Sequence, residues 1–237
     1  MDVSSLAVWA IIPATGLGSR MGAEMPKQYL PLESKCILHH TLDNLLSHER
    51  ICGAMVVLNA EDRHWAAHDY RHDKPVHTCT GGEQRYHSVL NGLQLLSEKL
   101  GQDAFVLIHD AVRPFVDHAD LDRLIDAVAA SDDGAILASP VADTLKVADD
   151  NQRISATHPR DGLWRAYTPQ AFRLQLIQSA LHTVVEDKLA VTDDASAMEH
   201  AGFKPRLVSC NPLNIKITYP DDLSLARLIL ARQQDSV

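Results

Sequence analysis

The chain has 237 residues, which suits one large α/β domain with one main hydrophobic core. Hydrophobic residues make up 46% of the chain and charged residues 22%, an ordinary globular balance that excludes a largely disordered protein. The formal net charge of -9 argues against a general nucleic-acid binder, because a polyanion would be repelled, whereas local cationic clusters still suit anions the size of a nucleotide.

The start of the chain and its cysteines indicate the compartment. The first residues carry no positively charged n-region, and the apolar run at residues 6–13 is too short to span a membrane. The four cysteines are widely spaced and form no Cys-x-x-Cys pair, so we expect reduced, structural thiols. We therefore expect a cytoplasmic protein with no membrane partner and no nucleic-acid partner.

Short apolar runs alternate with segments of helical spacing. The runs at residues 7–12, 53–58, 104–108 and 134–138 are typical of strands buried on both faces of a parallel sheet. Between them, one helix is marked by Val89, Leu93, Leu96 and Leu100. The alternation predicts βαβ units in a single, mostly parallel, doubly wound α/β sheet within one domain over residues 1–237. Ligands of such sheets bind beyond the carboxyl ends of the strands.

The pattern changes after Pro140. Residues 143–147 and 153–157 have the pattern of two short strands joined by a polar tip. They have too few apolar residues for a core of their own, so we expect a protruding β-arm over residues 141–161 that reaches another subunit. A floppy insertion is the alternative. Beyond the arm we expect helices at 174–186 and 193–200, strands at 205–209 and 214–218, and a final helix from Asp221.

A glycine-rich turn follows the first predicted strand directly. It runs Pro13-Ala14-Thr15-Gly16-Leu17-Gly18-Ser19-Arg20-Met21-Gly22 and is followed by Pro26-Lys27-Gln28. Such a turn lets backbone N–H groups approach phosphate oxygens, and Arg20 and Lys27 add two cations. A structural turn is the alternative for a bare Gly-x-Gly, and the two cations favour the phosphate site. A dinucleotide fingerprint would need glycine at Met21, and a P-loop would need Gly-Lys-Ser/Thr.

Further motifs follow this turn along the chain. They are Gly81-Gly82-Glu83-x-Arg85-x-x-Ser88-Val89, His109-Asp110-Ala111-Val112-Arg113-Pro114, Gly162-Leu163-Trp164 with Thr168-Pro169-Gln170, Thr192-Asp193-Asp194-Ala195-Ser196, and Asn214-Ile215-Lys216-Ile217-Thr218. Together with the first loop they resemble the methylerythritol-phosphate cytidylyltransferase family. The resemblance implies a Rossmann-like nucleotidyltransferase fold that joins CTP to a polyol phosphate and releases pyrophosphate. Thr15, Glu83 and Val112 depart from the residues common in that family, and none of these departures removes a charged phosphate ligand.

The resemblance also implies roles for the matching residues. Arg20 and Lys27 stabilise the charge developing on the α-phosphoryl group and the leaving pyrophosphate. Lys216 aligns the phosphates, and Arg160 holds the acceptor phosphate. The implied nucleotide contacts are Ala14, Thr15, Gly16, Gly18, Gly81, Gly82, Glu83 and Ser88. The implied acceptor contacts are Asp110, Arg113, Thr144, Thr168 and Thr192. Asp110 as the cap of a turn and Gly82 as a plain helix N-terminus are the structural alternatives.

The proposed chemistry sets the remaining expectations. An ionised phosphate oxygen needs no general base, so positioning and charge neutralisation supply the rate. Mg²⁺ is implied because the charge of a triphosphate must be partly neutralised. His64, His68 and His72 recur at four-residue spacing, but a zincin motif needs glutamate at Trp65, and a solvated helix face accounts for them. We expect a homodimer in which each arm completes the partner's site.

Other functions stay open on the sequence alone. A cytidylyltransferase for another polyol phosphate, such as ribitol 5-phosphate, would differ only in a few pocket contacts. A non-catalytic nucleotide-binding module of the same fold is a second alternative, although it would be expected to lose phosphate cations. An NAD-dependent oxidoreductase is disfavoured by Met21 and by the lack of an acidic residue at 35–37.

Overall fold

The computed structural model describes residues 6, 8–16, 25–101 and 103–234. The strands are β1 (Val8–Ala14), β2 (Pro31–Leu32), β3 (Lys35–Cys36), β4 (Ile51–Leu58), β5 (Val76–Thr80), β6 (Phe105–Ile108), β7 (Ala135–Pro140), β8 (Leu145–Ala148), β9 (Ile154–His158), β10 (Trp164–Arg173) and β11 (Arg206–Ser209). The helices are α1 (Ile37–Leu46), α2 (His64–His68), α3 (Arg85–Ser97), α4 (His118–Ala129), α5 (Leu174–Glu186), α6 (Asp194–His200) and α7 (Pro220–Gln234), with a 3₁₀ helix at Lys27–Tyr29. None of these helices is long and apolar enough to cross a membrane.

Seven strands form one central sheet in the order β11-β7-β10-β6-β1-β4-β5. β1 pairs in parallel with both β4 and β6, whereas β10 is antiparallel to its neighbours β6 and β7. Because the chain proceeds outward in both directions from β1, the carboxyl ends of β1 and β6 border the crevice where doubly wound sheets bind ligands. The predicted α/β class with a mostly parallel sheet is confirmed.

Alternate residues of the central strands pack into separate layers. Ala10 and Ile12 of β1 belong to a buried cluster with side chains of α1 and α4, whereas Ile11 packs with α3, α5 and α6. Burial on both faces explains why these strands are continuous apolar runs, and each buried isoleucine contributes about 1.5–3 kcal/mol. Leu100 lies after the end of α3 at Ser97, outside the helix to which it was assigned, but packs against the same cluster.

The residues predicted as an arm contain a separate hairpin. β8 and β9 pair only with each other, in antiparallel register, and every residue of both strands is exposed. At the base of the arm, the N–H of Val141 donates to the carbonyl of Leu163 at 3.0 Å. Val147 and Ile154 are 45% and 69% exposed. A two-stranded hairpin is marginal alone, so this arm presents apolar side chains without a core beneath them.

Residues 214–218, predicted as a strand, form no strand. Two of their carbonyls accept hydrogen bonds from cationic side chains instead of from a neighbouring strand. Nη1 of Arg113 donates to the carbonyl of Asn214 at 2.7 Å, and Nζ of Lys27 donates to the carbonyl of Ile217 at 3.3 Å. The segment therefore contacts both Arg113 and Lys27.

Only two of the three histidines assigned to a solvated helix face lie on the helix. α2 ends at His68, so His72 lies beyond the helix. The ring of Tyr29 stacks on His64 at a centroid distance of 5.1 Å and on His68 at 5.4 Å. No residue of α2 is buried and His68 and His72 are exposed, which agrees with a solvated face, although the ring of Tyr29 covers one side of His64 and of His68.

Candidate active site

Two adjoining clefts lie beyond the carboxyl ends of β1 and β6. Their volumes are about 470 Å³ and about 270 Å³, and Arg85, Asp110 and Lys216 line both. Of the predicted residues, the first cleft is lined by Ala14, Thr15, Gly16, Lys27, Gly82, Glu83, Asp110 and Lys216. The second is lined by Asp110, Arg113, Thr168, Thr192 and Lys216. The shared wall makes the two clefts one continuous site.

The glycine pair after β5 packs closely against the loop after β1. A Cβ atom at Gly81 would lie 2.3 Å from Cγ2 of Thr15 and 2.6 Å from Oγ of Ser88. The N–H of Gly82 donates to Oγ of Ser88 at 3.2 Å. A Cβ atom at position 81 would force Thr15 or Ser88 to move, and since Gly81 and Ser88 do not line the cleft themselves, they support its wall. Helix α3 begins later, at Arg85, so the alternative of a helix N-terminus at Gly82 is wrong.

The variant Gly81→Ala is expected to weaken CTP binding about tenfold or more, because an inserted methyl group in a packed site costs about 1–3 kcal/mol. Isothermal titration calorimetry with CTP measures the effect. Gly101→Ala is the matched control, since a Cβ atom there meets nothing within 4 Å. Equal CTP affinities in the two variants would contradict the supporting role of Gly81.

The turn after the glycine-rich loop is tied to the sheet. Nε2 of Gln28 donates to the carbonyl of Ala14 at 2.7 Å, in a buried bond to the last residue of β1. The adjacent Lys27 lines the first cleft and donates from Nζ to the carbonyl of Ile217 at 3.3 Å. These contacts fix the backbone of the turn and position the ammonium group of Lys27 at the cleft wall.

Asp110 lies at the centre of a group of cations. Its Oδ2 is 2.9 Å from Nζ of Lys216 and 3.1 Å from Nε of Arg113, and its Oδ1 is 3.8 Å from Nε of Arg85. Burial acts to raise the pKa of Asp110, but the three neighbouring positive charges outweigh burial and hold the pKa well below its usual range. The carboxylate is therefore ionised and holds the cations in place.

The second cleft is shaped by Arg113 and Thr168. Arg113 is buried, and its guanidinium lies over the ring of Tyr167 at 5.1 Å from the centroid. Oγ1 of Thr168 accepts a bond from the N–H of Asp110 at 3.0 Å, which leaves the hydroxyl hydrogen for another acceptor. This wall thus presents a fixed cation and a hydroxyl donor.

Arg85 and Asp194 form an ion pair that the sequence reasoning did not assign to the site. Nη1 and Nη2 of Arg85 each donate to one carboxylate oxygen of Asp194, both at 2.8 Å. Burial acts to lower the pKa of Arg85, but Asp194 outweighs burial and raises it above the usual value. Arg85 stands within the Gly81 motif, but its partner is 109 residues away, a separation that one sequence does not bridge.

A capping box at the start of α6 positions Thr192. The side chain of Asp193 accepts from the N–H of Ser196 at 3.0 Å, and Oγ of Ser196 accepts from the N–H of Asp193 at 3.3 Å. The N–H of Thr192 also donates to Oγ of Ser196, at 3.1 Å. Nε2 of Gln170 donates to Asp193 at 2.8 Å, which ties this turn to β10.

Some predicted site residues are not brought to the clefts. Thr144 and Arg160 lie in the exposed arm and line neither cleft. The guanidinium of Arg160 donates to the carbonyl of Ala142 within the arm. Gly18 and Arg20 lie outside the described residues.

His109 is fully buried directly before Asp110. Its Nε2–H donates to the carbonyl of Arg113 at 2.9 Å. Burial lowers the pKa of His109 to about 4, so the imidazole is neutral in the folded protein. The unfolded chain binds a proton there below about pH 6.5. Stability from this neutral histidine is therefore complete above that pH and is lost as the pH falls towards about 4.

Lowering the pH from about 7.5 to about 5 is expected to reduce the free energy of unfolding of the wild type by about 2 kcal/mol more than that of His109→Gln. The reason is that only the wild-type unfolded state gains this proton. Urea unfolding at the two pH values measures the difference. His182→Gln, at an exposed position of α5, is the control and should follow the wild type. Parallel pH dependences of the wild type and His109→Gln would refute the argument.

The chain is similar to known proteins along nearly its whole length. A family profile described as 2-C-methyl-D-erythritol 4-phosphate cytidylyltransferase matches residues 8–232. The chain belongs to this family. The resemblance seen in the motifs is thereby confirmed, and the alternative of an NAD-dependent oxidoreductase is wrong, because the 2-C-methyl-D-erythritol 4-phosphate cytidylyltransferase family transfers nucleotidyl groups.

Individual members of the 2-C-methyl-D-erythritol 4-phosphate cytidylyltransferase family agree in length and fold. The protein of that name from Stenotrophomonas maltophilia (strain R551-3) is 48% identical over 229 residues, which cover 97% of this chain and 99% of that protein. The one from Xylella fastidiosa (strain M23) is 46% identical over 229 residues, with the same coverage of 97% and 99%. The crystal structure of the Francisella tularensis protein has a TM-score of 0.81 at 35% identity and covers 94% of this chain and 99% of that chain.

Proposed function

We propose that this chain transfers the cytidylyl group of CTP to 2-C-methyl-D-erythritol 4-phosphate, giving 4-diphosphocytidyl-2-C-methyl-D-erythritol and pyrophosphate in the non-mevalonate route to isoprenoid precursors. One observation carries the proposal. Two clefts, one beside glycine-rich loops and one lined by a fixed arginine, share a wall that holds Arg85, Asp110 and Lys216. A nucleotide in the first cleft and a phosphorylated acceptor in the second would meet at these cations.

The reaction needs little covalent chemistry from the protein. A phosphate oxygen of the acceptor forms a bond to the α-phosphorus of CTP, and the bond from that phosphorus to the oxygen bridging to the β-phosphorus breaks. The electron pair leaves with pyrophosphate. Because the attacking phosphate is already ionised near neutral pH, no general base is required. This agrees with the state of Asp110, which is held ionised by its ion pairs and acts on the cations rather than on a proton.

The cations supply the stabilisation that the transition state needs. Nζ of Lys216 is fixed by Asp110, and Nζ of Lys27 is fixed by the carbonyl of Ile217, so neither must reorganise when charge develops. Preorganised donors of this kind commonly supply the largest single part of the rate acceleration. By the family resemblance, Arg20 adds a further positive charge from the glycine-rich loop.

The second cleft suits a phosphorylated polyol. The guanidinium of Arg113 contacts Asp110 and the carbonyl of Asn214, and these contacts hold its positive charge at the wall of the second cleft. Thr168 and Thr192 add hydroxyl groups to the same wall, and these match the hydroxyls of a polyol as donors or acceptors. Ribitol 5-phosphate is the acceptor against which this assignment should be compared.

The proposal includes Mg²⁺, and the first cleft offers the ion few free carboxylate oxygens. The carboxylates among its lining residues are Glu83 and Asp110, and Oδ2 of Asp110 is already paired with cations. Mg²⁺ typically keeps several waters and binds one or two carboxylates together with substrate phosphates. The ion would therefore be held chiefly by the triphosphate and by water, with Glu83 as the lining carboxylate outside the cation cluster. When bound, it supplies charge neutralisation of the phosphates.

CTP is expected to exceed UTP, ATP and GTP by at least about tenfold in kcat/KM, because a site that hydrogen-bonds one base edge leaves buried groups unpaired with another. By the family resemblance, the segment of Gly81, Gly82 and Ser88 reads the edge of the base, and Gly82 lines the first cleft. Pyrophosphate release with each nucleotide, at saturating methylerythritol phosphate, tests both base and reaction. A second series with ribitol 5-phosphate tests the acceptor. Equal turnover with all four nucleotides would refute the base pocket, and a preference for ribitol 5-phosphate would refute the acceptor.

The proposal includes a homodimer in which each arm completes the partner's site. The arm carries exposed apolar side chains at Val147 and Ile154, which a second copy would cover. Arg160 and Thr144, acceptor contacts by resemblance, lie outside the clefts of their own chain. A two-fold arrangement that exchanges arms accounts for both observations. The proposal also places the reaction in the cytoplasm, where reducing conditions suit four free thiols.

A further inference from the structure

A cysteine and two histidines meet on the side of the sheet that carries α1 and α2. One ligand atom each of Cys36, His39 and His68 lies within 4.8 Å of the others. Cys36 immediately precedes α1, His39 stands in the first turn of that helix, and His68 ends α2. None of the three lines either cleft. We propose that Cys36, His39 and His68 form a binding site for a thiophilic divalent cation, with Zn²⁺ as the ion that suits this ligand set.

The geometry needs only a small adjustment to bind zinc. Bond lengths of about 2.3 Å to sulfur and about 2.0–2.1 Å to nitrogen place tetrahedral ligands about 3.4–3.6 Å apart. Closing the cluster from at most 4.8 Å therefore requires movements of about 1 Å. Cys36 and His39 are three residues apart at a helix start, so they share one face, and the exposed His68 gives the ion a route from solvent. Three protein ligands leave a fourth position for water.

A second observation points independently to a ligand. Nε2 of His39 is buried and has no hydrogen-bond partner within the described part of the chain. Buried polar atoms are nearly always paired, so an unpaired ring nitrogen calls for an explanation. Burial first, and His68 second, lower the pKa of His39, so the ring is in the neutral form that binds metals. A metal ion bound through Nε2 gives this atom the partner that it lacks.

The cysteine is also placed for metal binding. Burial raises the pKa of the Cys36 thiol, while backbone N–H groups of His39 and Leu38 act in the opposite direction. These N–H groups belong to the free first turn of α1, and they stabilise a thiolate once an ion displaces the proton. Cys52, on β4, differs from Cys36: it is a half-buried cysteine that belongs to no such ligand cluster among the described residues.

A bound ion would stabilise the packing beside the 3₁₀ helix at Lys27–Tyr29. The ring of Tyr29 lies against His68, with planes 6° apart, and its hydroxyl donates to Asp62 at 2.8 Å. Tyr29 ends the 3₁₀ helix that begins with Lys27. An ion that joins His68 to the start of α1 fixes the surface against which Tyr29 packs. Its effect is on the stability of this region, since none of the three ligands lines either cleft.

The test is titration of the chelator-treated protein with Co²⁺ alone, without nucleotide or acceptor. The expected result is one ion per chain, with a thiolate-to-cobalt charge-transfer band that Zn²⁺ abolishes on addition. Cys36→Ser should lose the band, and His68→Gln should weaken binding at least about tenfold, as loss of a ligand costs no less than loss of its supporting contacts. Cys52→Ser and His72→Gln are matched controls that should bind as the wild type does.

Thermal unfolding with and without Zn²⁺ provides the second measurement, because an ion that binds the folded state raises the melting temperature. The rise should occur in the wild type and both controls and be smaller in His68→Gln at the same Zn²⁺ concentration, and the exposed position of His68 makes misfolding no explanation. No charge-transfer band in the wild type, a band that survives Cys36→Ser, or a band lost in Cys52→Ser would each overturn the proposal.

Discussion

Replacing Lys27 with alanine is expected to lower kcat about 10²–10³-fold, the scale of removing one preorganised charge-stabilising donor. The ammonium group lines the first cleft and is held by the carbonyl of Ile217, so it is positioned before the substrates arrive. Since negative charge increases on the phosphates during the reaction, kcat should fall more than the affinity for CTP changes. Steady-state pyrophosphate release gives kcat, and isothermal titration calorimetry with CTP gives the affinity. By resemblance, Arg20→Ala should behave in the same way.

Lys99→Ala is the matched control for charge. Lys99 is exposed just after α3 and lines neither cleft, so its removal changes the net charge equally and should leave kcat nearly unchanged. A Lys27→Ala enzyme with near-normal kcat and only a raised KM would contradict the account, because it would show that Lys27 binds the ground state.

Mixing Arg160→Ala with Lys216→Ala subunits is expected to restore about a quarter of wild-type activity, although each homodimer alone is nearly inactive. Lys216 lines the clefts of its own chain, whereas Arg160 lies in the arm and outside them. If the arm acts on the partner, a mixed dimer has one site with both changes and one with neither. Random exchange makes about half of all dimers mixed, and half of their sites are intact.

A second mixture is the negative control for complementation between subunits. Lys27 and Lys216 both line the first cleft of one chain, so Lys27→Ala mixed with Lys216→Ala leaves one cation missing from every site and should recover nothing. Exchange is verified by mass spectrometry of tagged subunits. If the Arg160 and Lys216 mixture also stays inactive, Arg160 acts within its own chain, and the shared site is disproved.

The central strands were predictable because both of their faces are buried. β1 contributes Ile12 to one layer and Ile11 to the other, so the run is continuously apolar and visible without any alignment. The edge strand β5, Val76–Thr80, has no such run, since its residues are half-buried or exposed and alternate with polar side chains. Apolar runs in the sequence therefore identify central strands more readily than edge strands.

Strand β10 escaped prediction for a different reason. It lies between β6 and β7, at the centre of that half of the sheet, yet it contains Pro169, which argues against a central strand because proline donates no ladder hydrogen bond. The structure accommodates the proline in a break of register between Ala166 and Gln170. Residues after the break, such as Phe172, are completely buried. That this segment belongs to the sheet is seen only from its pairing with β6 and β7 in the structure.

The site was predictable where its residues stand in recognisable motifs. Lys27, Asp110 and Lys216 each follow or accompany such a motif, and the structure brings all three to the first cleft. The ion pair of Arg85 with Asp194 and the meeting of Cys36 with His68 depend on contacts between distant segments. Such contacts arise from the packing of helices on the sheet, which spacing along the chain does not encode.

The most direct test of the proposed reaction is to follow the oxygens of the acceptor phosphate. Methylerythritol phosphate labelled with ¹⁸O in its phosphate group is incubated with CTP, Mg²⁺ and the enzyme, and the products are analysed by mass spectrometry. Attack by an acceptor phosphate oxygen on the α-phosphorus predicts that 4-diphosphocytidyl-2-C-methyl-D-erythritol retains all of the label and that pyrophosphate contains none. Label in pyrophosphate, or no cytidylylated product at all, would contradict the proposed reaction.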